Sequence, residues 1–245
     1  MTQTLASQAP VPAAPKGLAA RIIGVLTSPR ATYADVAAPP RWLGALAVVL
    51  LIGVAGTFLF LSTDIGRQAA LDQQVRQMEA FGRAPTDAQY QRLEQMAAFA
   101  RYLGAVSQLV FVPVMALVIA GIAFAIFNAL LGGDATFKQV FAVVVHSGFI
   151  ISLQQCFTLP LDYARETLSS PTNLAVFAPF LEESGFLAQM LGSIDLFLVW
   201  WAISLSIGLG VLYRTRTGPI AATMLVVYAA IAVVIAAAKT ALSGA

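Results

Sequence analysis

Five polar side chains inside long apolar stretches are the residues of this chain best suited to chemistry. Asp195 and His146 can carry a charge, and Gln108, Gln154 and Gln155 carry carboxamides. Such groups can move protons, bind ions or form hydrogen bonds between helices. An ionisable residue inside a membrane span is costly enough to suggest a function. What these side chains do depends on the elements that hold them and on their depth.

Five apolar stretches organise the sequence. The chain has 245 residues, of which 59% are hydrophobic and 11% are charged, whereas soluble domains carry about 25% charged residues. A helix of about 20 apolar residues crosses the hydrocarbon core, and it satisfies its own backbone groups there. We therefore expect an all-α polytopic membrane protein with five transmembrane helices. They run approximately from Trp42 to Leu61, Leu103 to Leu130, Val140 to Pro160, Ser193 to Tyr213 and Pro219 to Ala238.

The sequence displays no complete catalytic, cofactor or metal site. Its single cysteine, Cys156, falls inside an apolar stretch and has no partner for a thiolate cluster. It has no HExxH, no GxSxG, no phosphate-binding loop and no acidic pair at catalytic spacing. The net charge of +2 comes from scattered residues, which do not make a nucleic-acid surface. We expect no catalysis, no cofactor, no metal and no nucleic-acid partner.

The amino-terminal region precedes the first span. Residues 1–15 are uncharged and rich in Ala, Pro, Thr and Gln, which predicts a disordered tail. Residues 16–41 predict two short interfacial helices on the cytoplasmic side, the second beginning at the cap pair Ser28 and Pro29. The first is amphipathic, and we expect its apolar face to insert into the membrane surface. That face consists of Leu18, Ile22, Val25 and Leu26.

The segment between the first two spans, residues 62–101, is too polar for lipid yet helical in pattern. Thr86 and Gln89 have capping-box spacing at the start of its second helix. The segment predicts an extracytoplasmic helical hairpin whose arms extend the first two spans and project about 25 Å. Its facing stripes are Leu71, Val75 and Met78 on one arm and Tyr90, Leu93 and Ala97 on the other.

Orientation follows from the lysines and arginines. The count ties at seven on each side of the membrane, so four cations before the first span decide it. We expect the amino terminus in the cytoplasm and the carboxyl terminus outside. Basic residues near the cytoplasmic leaflet are candidate headgroup contacts, with ordinary positive-inside residues as the other interpretation. These are Lys16, Arg21, Arg30, Lys138, Arg214 and Arg216.

Helical rise gives the depths of the polar side chains. His146 lies about 12 Å from the cytoplasmic end of its span, whereas Asp195 lies about 28 Å from that side. His146 is therefore expected to be isolated and bonded to a backbone carbonyl or hydroxyl, with a proton relay as the alternative. The glutamines share the level of Asp195, which predicts a polar cluster of Asp195, Gln108, Gln154 and Gln155. It is either a pocket for an ion or headgroup, or a helix cap with glutamines bonding between helices.

Three stretches together resemble the Yip-domain family of Rab-interacting membrane proteins and its bacterial branch. They are Ile22 to Tyr33 (IIGVLTSPRATY), Gly132 to Val145 (GGDATFKQVFAVVV) and Ile194 to Thr217 (IDLFLVWWAISLSIGLGVLYRTRT). The resemblance implies a five-helix membrane domain, here residues 42–245, and a cytoplasmic amino terminus. The hairpin and the small cytoplasmic part distinguish the chain from the eukaryotic branch and favour a bacterial inner membrane.

The leading hypothesis for function is a non-enzymatic integral membrane protein that organises the membrane or partner proteins. Its partners would be the lipid bilayer and either other membrane proteins or further copies of itself. The alternative is a transporter or permease subunit that uses a polar pocket between helices two, three and four. Few charges lie within the spans and no internal repeat is visible, which weighs against an independent transporter.

Overall fold

The computed structural model describes residues 16–80, 82–182 and 185–243, and these residues are helical with no strands. The tail predicted for residues 1–15 lies outside the described residues. In chain order the α-helices are α1 (Leu18–Thr27), α2 (Pro29–Ala37), α3 (Leu43–Leu61), α4 (Asp64–Ala80), α5 (Asp87–Ala97), α6 (Ala100–Phe124), α7 (Phe137–Ser147), α8 (Phe149–Arg165), α9 (Phe186–Gly192), α10 (Leu196–Leu212) and α11 (Thr217–Ser243). A π-helical turn, Ala125–Leu130, extends α6, and a 3-10 helix, Leu174–Phe177, precedes α9.

Four of the five predicted spans are helices long and apolar enough to cross a membrane in the described chain. They are α3, α6 with its π-helical turn, α7 with α8, and α11. The remaining span, α10, is apolar but has only 17 residues, at the lower limit for crossing. Its shortness has a cause: the chain leaves the helix at Ser193 and resumes it at Leu196, so that α9 and α10 are separate.

The third span consists of two helices that meet where α7 ends and α8 begins. Gly148 separates the two helices, and the Ser147 hydroxyl donates to the Val144 carbonyl at 2.7 Å. The first of the two helices has the more crowded surroundings, because α7 contacts α1, α2, α3, α6, α8 and α10. Every residue from Val140 to Ser147 is buried, so α7 forms the centre of the protein.

The amino-terminal helices pack on protein, which corrects the expectation that their apolar face enters the lipid surface. α1 lies against α2, α3, α7 and α8, while α2 lies against α7 and α10. Val25 is only 1% exposed, and Leu18, Ile22 and Leu26 pack against the same core. The prediction failed because an amphipathic pattern does not distinguish a lipid surface from a protein groove.

The helices predicted for residues 62–101 are present as α4 and α5, and the Thr86 capping box forms as predicted. Their placement differs from a freely projecting hairpin. α4 contacts α11, and the Arg76 guanidinium donates to the Thr167 hydroxyl beyond the end of α8 at 3.4 Å. The turn at Ser62 and Thr63 redirects the chain, so α4 crosses the end of the bundle. Of the predicted stripes, Leu71 is buried while Tyr90 is exposed.

Close packing at Gly208 provides a test of the central helix. A methyl group on Gly208 would lie 2.5 Å from Val143 Cγ1 and 3.1 Å from Tyr33 Cδ1. We expect Gly208→Ala to destabilise the detergent-solubilised protein by about 1–3 kcal/mol, the cost of overpacking. The matched control is Gly121→Ala in α6, where no atom lies within 4 Å of the added group. Thermal unfolding that ranks the two variants equally would contradict this packing.

Candidate functional site

Contacts between helices establish the relative heights of the polar groups. We call the side of the bundle where α1 and α2 pack the near side, and the opposite side the far side. The rings of Phe157 and Phe197 lie 6.0 Å apart, and Gly208 lies against Val143. α10 therefore runs antiparallel to α7 and α8. Because α8 continues from Phe157 to Arg165, α10 begins about 12 Å below the far end of α8.

Asp195 occupies the start of α10 as its N-cap. One carboxylate oxygen, Oδ1, accepts the Phe197 N–H at 2.8 Å and the Leu198 N–H at 3.4 Å. The other oxygen, Oδ2, accepts the Ser170 hydroxyl at 2.8 Å and the Thr172 hydroxyl at 2.6 Å. A carboxylate offers about four lone-pair sites. All are in use, so this carboxylate has no lone pair left for an ion.

The backbone around Asp195 is also hydrogen-bonded within the protein. Its N–H donates to the Tyr228 hydroxyl of α11 at 2.8 Å, and that hydroxyl donates to the Ser193 carbonyl at 3.0 Å. Leu196 N–H donates to the Thr172 carbonyl at 3.0 Å, which helps to form an isolated β-bridge beside the break. The non-helical residues between α9 and α10 are therefore hydrogen-bonded to the loop after α8 and to α11.

The four residues predicted to form one polar cluster lie in two separate networks. Gln154 Nε2 is 3.5 Å from the Thr172 hydroxyl and so joins Asp195. Gln155 Nε2 donates to the Thr57 hydroxyl at 3.3 Å, and Gln108 Nε2 donates to the same hydroxyl at 3.3 Å. Successive residues on a helix point about 100° apart. The two neighbouring glutamines consequently bond to different parts of the protein, Gln154 to the loop after α8 and Gln155 to α3, and do not line a common pocket.

His146 makes the bond to a backbone carbonyl that was predicted, but it also has Arg21 as a partner and is therefore not isolated. His146 Nδ1 lies 2.7 Å from the Ala142 carbonyl, and Nε2 lies 3.3 Å from an η-nitrogen of Arg21. A carbonyl can only accept and a guanidinium can only donate. Nδ1 therefore carries the proton, and Nε2 accepts from Arg21. The histidine is neutral in this arrangement and joins α7 to α1.

Arg21 is also not a headgroup contact as predicted, because it is only 7% exposed. Besides His146, its guanidinium donates to the Arg41 carbonyl at 3.1 Å, just before α3 begins. In the described part of the chain the one ion pair is between Arg67 and Asp64, so Arg21 is bonded to neutral acceptors. The sequence gives no signal for a bond between residues so far apart in the chain.

The first two stretches that carry the family resemblance pack with the carboxyl-terminal half of the third, and we call this the near-side unit. The Tyr33 hydroxyl bonds to the Ser204 hydroxyl at 2.8 Å, linking α2 to α10. Gln139 Nε2 donates to the Ala37 carbonyl at 3.0 Å, linking α7 to α2. Tyr33 is fully buried, and this burial raises the pKa of its hydroxyl. The near-side unit is thus joined by polar bonds through an apolar core.

The remaining predicted headgroup cations differ in exposure. Lys16 is partly buried, and its ammonium donates to the Thr32 hydroxyl at 3.3 Å. Arg30 is exposed and donates to the Thr217 hydroxyl at 3.3 Å. The exposed cations that lie at helix ends or turns of the near side are Lys138, Arg214 and Arg216.

Long apolar helices with polar bonds between them define the chain as a multi-pass helical membrane protein. The Yip1 domain model matches residues 23–238, nearly the whole chain, so the chain belongs to the Yip1 domain family. The match spans the near-side unit and the interrupted α9 and α10 together. No curated protein and no solved structure matches the chain.

The Asp195 network predicts selective coupling. Asp195→Ala leaves two hydroxyls and two N–H groups without their acceptor, and we expect a loss of about 1–3 kcal/mol in detergent. Asp195→Asn keeps one acceptor oxygen and should cost less. In double-mutant cycles Asp195→Ala should couple with Thr172→Val and be additive with Gln155→Ala. Coupling to Gln155 in place of Thr172 would contradict the division into two networks.

The hydrogen bonds of the Arg21 guanidinium predict that this side chain stabilises the packing of α1 on the bundle. Arg21→Met keeps the length of the side chain and removes its donors, so we expect about 1.5–3 kcal/mol less local stability. Hydrogen exchange of the α1 and α2 amides should accelerate. Arg30→Met is the matched control, because Arg30 is exposed. Unchanged exchange in the Arg21 variant would show that apolar packing alone holds these helices.

Proposed function

We propose that this Yip1 domain protein works without catalysis, as a membrane-embedded scaffold that organises partner membrane proteins. The observation that carries the proposal is α5, a helix with a complete capping box and no buried residue. A well-formed helix that buries so little of its surface within its own protein is suited to contact another protein. Tyr90 and Met96 are exposed on it, while Leu93 and Ala97 are partly buried.

The arrangement of α5 combines apolar and charged contacts. Its apolar stripe of Tyr90, Leu93 and Ala97 lies beside exposed Arg92 and Glu94. Interfaces between proteins commonly have aromatic anchors inside a polar rim. A partner would therefore offer an apolar patch with charges around it. A second copy of the chain is one such partner, and another membrane protein is the other.

The polar interior favours a scaffold over a transporter. Asp195 uses its lone pairs within the protein, and Gln108 and Gln155 share Thr57 between α3, α6 and α8. Groups used in this way join helices, as small polar residues commonly do in membranes. A transport site needs acceptors or donors that are free for a solute. The protein offers none in these two networks.

The proposal includes a location and an orientation. The near side faces the cytoplasm of a bacterial cell, the far side faces outward, and the membrane is the inner membrane. The exposed near-side cations support this orientation, because lysine and arginine favour the cytoplasmic flank. Contacts of Arg30, Lys138, Arg214 and Arg216 with anionic headgroups belong to the same proposal. α5 would then meet its partner outside the cytoplasm.

Site-specific photocrosslinking in native membranes tests the scaffold. A photoreactive residue at Tyr90, on the apolar stripe, should capture one discrete partner that mass spectrometry identifies. The same residue at Gln91, which is exposed but lies off the apolar stripe, is the matched control and should capture far less. The helix geometry supports this contrast, since the two positions are about 100° apart.

The outcomes separate the proposals. A crosslink to a second copy of the chain identifies self-association, and a crosslink to another membrane protein identifies a scaffolded partner. Equal, diffuse labelling at both positions would overturn the role of α5. A solute that copurifies in stoichiometric amount and depends on Asp195 would instead support transport.

A further inference from the structure

We propose that the segment joining α8 to α10 is a re-entrant loop inserted among the acyl chains of the far leaflet. We call residues 166–182 and 185–195 the far-side loop. The inference goes beyond the scaffold role, because it concerns contact with lipid and not with a partner protein. It rests on depth, on exposed apolar side chains and on the bonding of the loop backbone.

Depth is the first argument. The loop leaves α8 at Arg165 and returns to Thr172, whose hydroxyl and carbonyl bond to the start of α10. That start lies about 12 Å below the far end of α8 by helical rise. The height agrees with α3, since Gly56 lies against Leu159 and α3 ends at Leu61 only about 8 Å further on. The loop therefore enters the layer that α3 and α8 span.

Exposed apolar side chains are the second argument. Phe180 is 82% exposed and Phe177 is 68% exposed, and both come from a stretch, residues 167–181, without a charged residue. Val176, Phe186 and Leu187 are exposed as well. Uncovered aromatic rings in water cost free energy in proportion to their apolar area, about 25 cal/mol per Å². Acyl chains at this depth remove that cost.

Continuity with lipid-facing helices identifies lipid as the occupant. α9 packs on α11, whose outward side chains Val226, Val234 and Ile235 are exposed along the span. The apolar rings of the loop extend this surface. Interfaces with proteins commonly have a polar rim, whereas residues 167–181 carry no charge and the charges nearest to this stretch stand at its two ends, at Glu166 and Glu182. We therefore assign the surface to acyl chains.

Irregular backbone survives at membrane depth only where its polar groups are bonded. The far-side loop meets that condition at its deepest point. Leu174 N–H donates to the Ile194 carbonyl at 2.9 Å, and Asn173 Nδ2 donates to the Ser170 carbonyl at 3.0 Å. With Asp195 accepting two loop hydroxyls, polar groups point inward. The aromatic rings are left to point outward.

Spin-label accessibility in reconstituted vesicles tests the insertion. A nitroxide is attached to Phe180→Cys in a Cys156→Ala background, because Cys156 is exposed. Oxygen concentrates in acyl chains, whereas a nickel chelate stays in water. We expect oxygen to relax this label several-fold more than nickel does.

Two matched positions calibrate the measurement. Leu109→Cys lies on the exposed side of α6 at the height of the Asp195 layer, since neighbouring Gln108 bonds to Thr57. Gln91→Cys lies on exposed α5. The label at Phe180 should resemble that at Leu109. Nickel accessibility equal to that at Gln91 would overturn the proposal, and so would shielding from both reagents, which indicates burial against a protein.

Discussion

One carboxylate supports the unusual backbone of this protein. Between α9 and α10 the chain stops being helical inside the layer spanned by α3 and α8, where lipid offers no hydrogen bonds. Asp195 resolves that conflict by accepting two N–H groups of α10 and two hydroxyls of the preceding loop. An N-cap alone contributes about 0.5–2 kcal/mol. Here the same side chain also fixes the loop, so the junction of that loop with α10 depends on it.

The near side obeys the same constraint with different groups. α1 and α2 insert polar residues beside α7, and each finds a bond inside the protein. Arg21 reaches His146 and the Arg41 carbonyl, while Tyr33 reaches Ser204. Because a buried unmatched polar group costs about 1–3 kcal/mol, these bonds define a single docking position for two short helices. Burial of their apolar faces holds the two helices against the protein, and the polar bonds fix their position on it.

Features formed by neighbouring residues could be predicted from the sequence, whereas contacts between residues far apart in the chain could not. Hydrophobic length located the spans, and the spacing of Thr86 and Gln89 located a capping box that forms. The partner of His146 could not be predicted, since Arg21 lies 125 residues away. Helical rise correctly placed His146 and Asp195 at different depths. It did not predict that the side chains of Gln154 and Gln155 point to different sides of α8. A helix cap at Asp195 is one of the two interpretations that the sequence allows, whereas its hydroxyl partners Ser170 and Thr172 carry no sequence signal.

The distribution of satisfied and unsatisfied groups bears directly on function. Within the described spans the polar side chains of the two networks bond to one another or to backbone, so they stabilise a fixed arrangement of helices. Among the described residues, Asp162 Oδ1 and Arg21 Nε are buried without a hydrogen-bond partner. The uncommitted surface includes the stripe of α5, the rings of the far-side loop and the outward faces of α6 and α11. Chemistry requires free polar groups held in a cavity, whereas recognition requires exposed surface on a rigid support. The proposed scaffold role rests on the second condition.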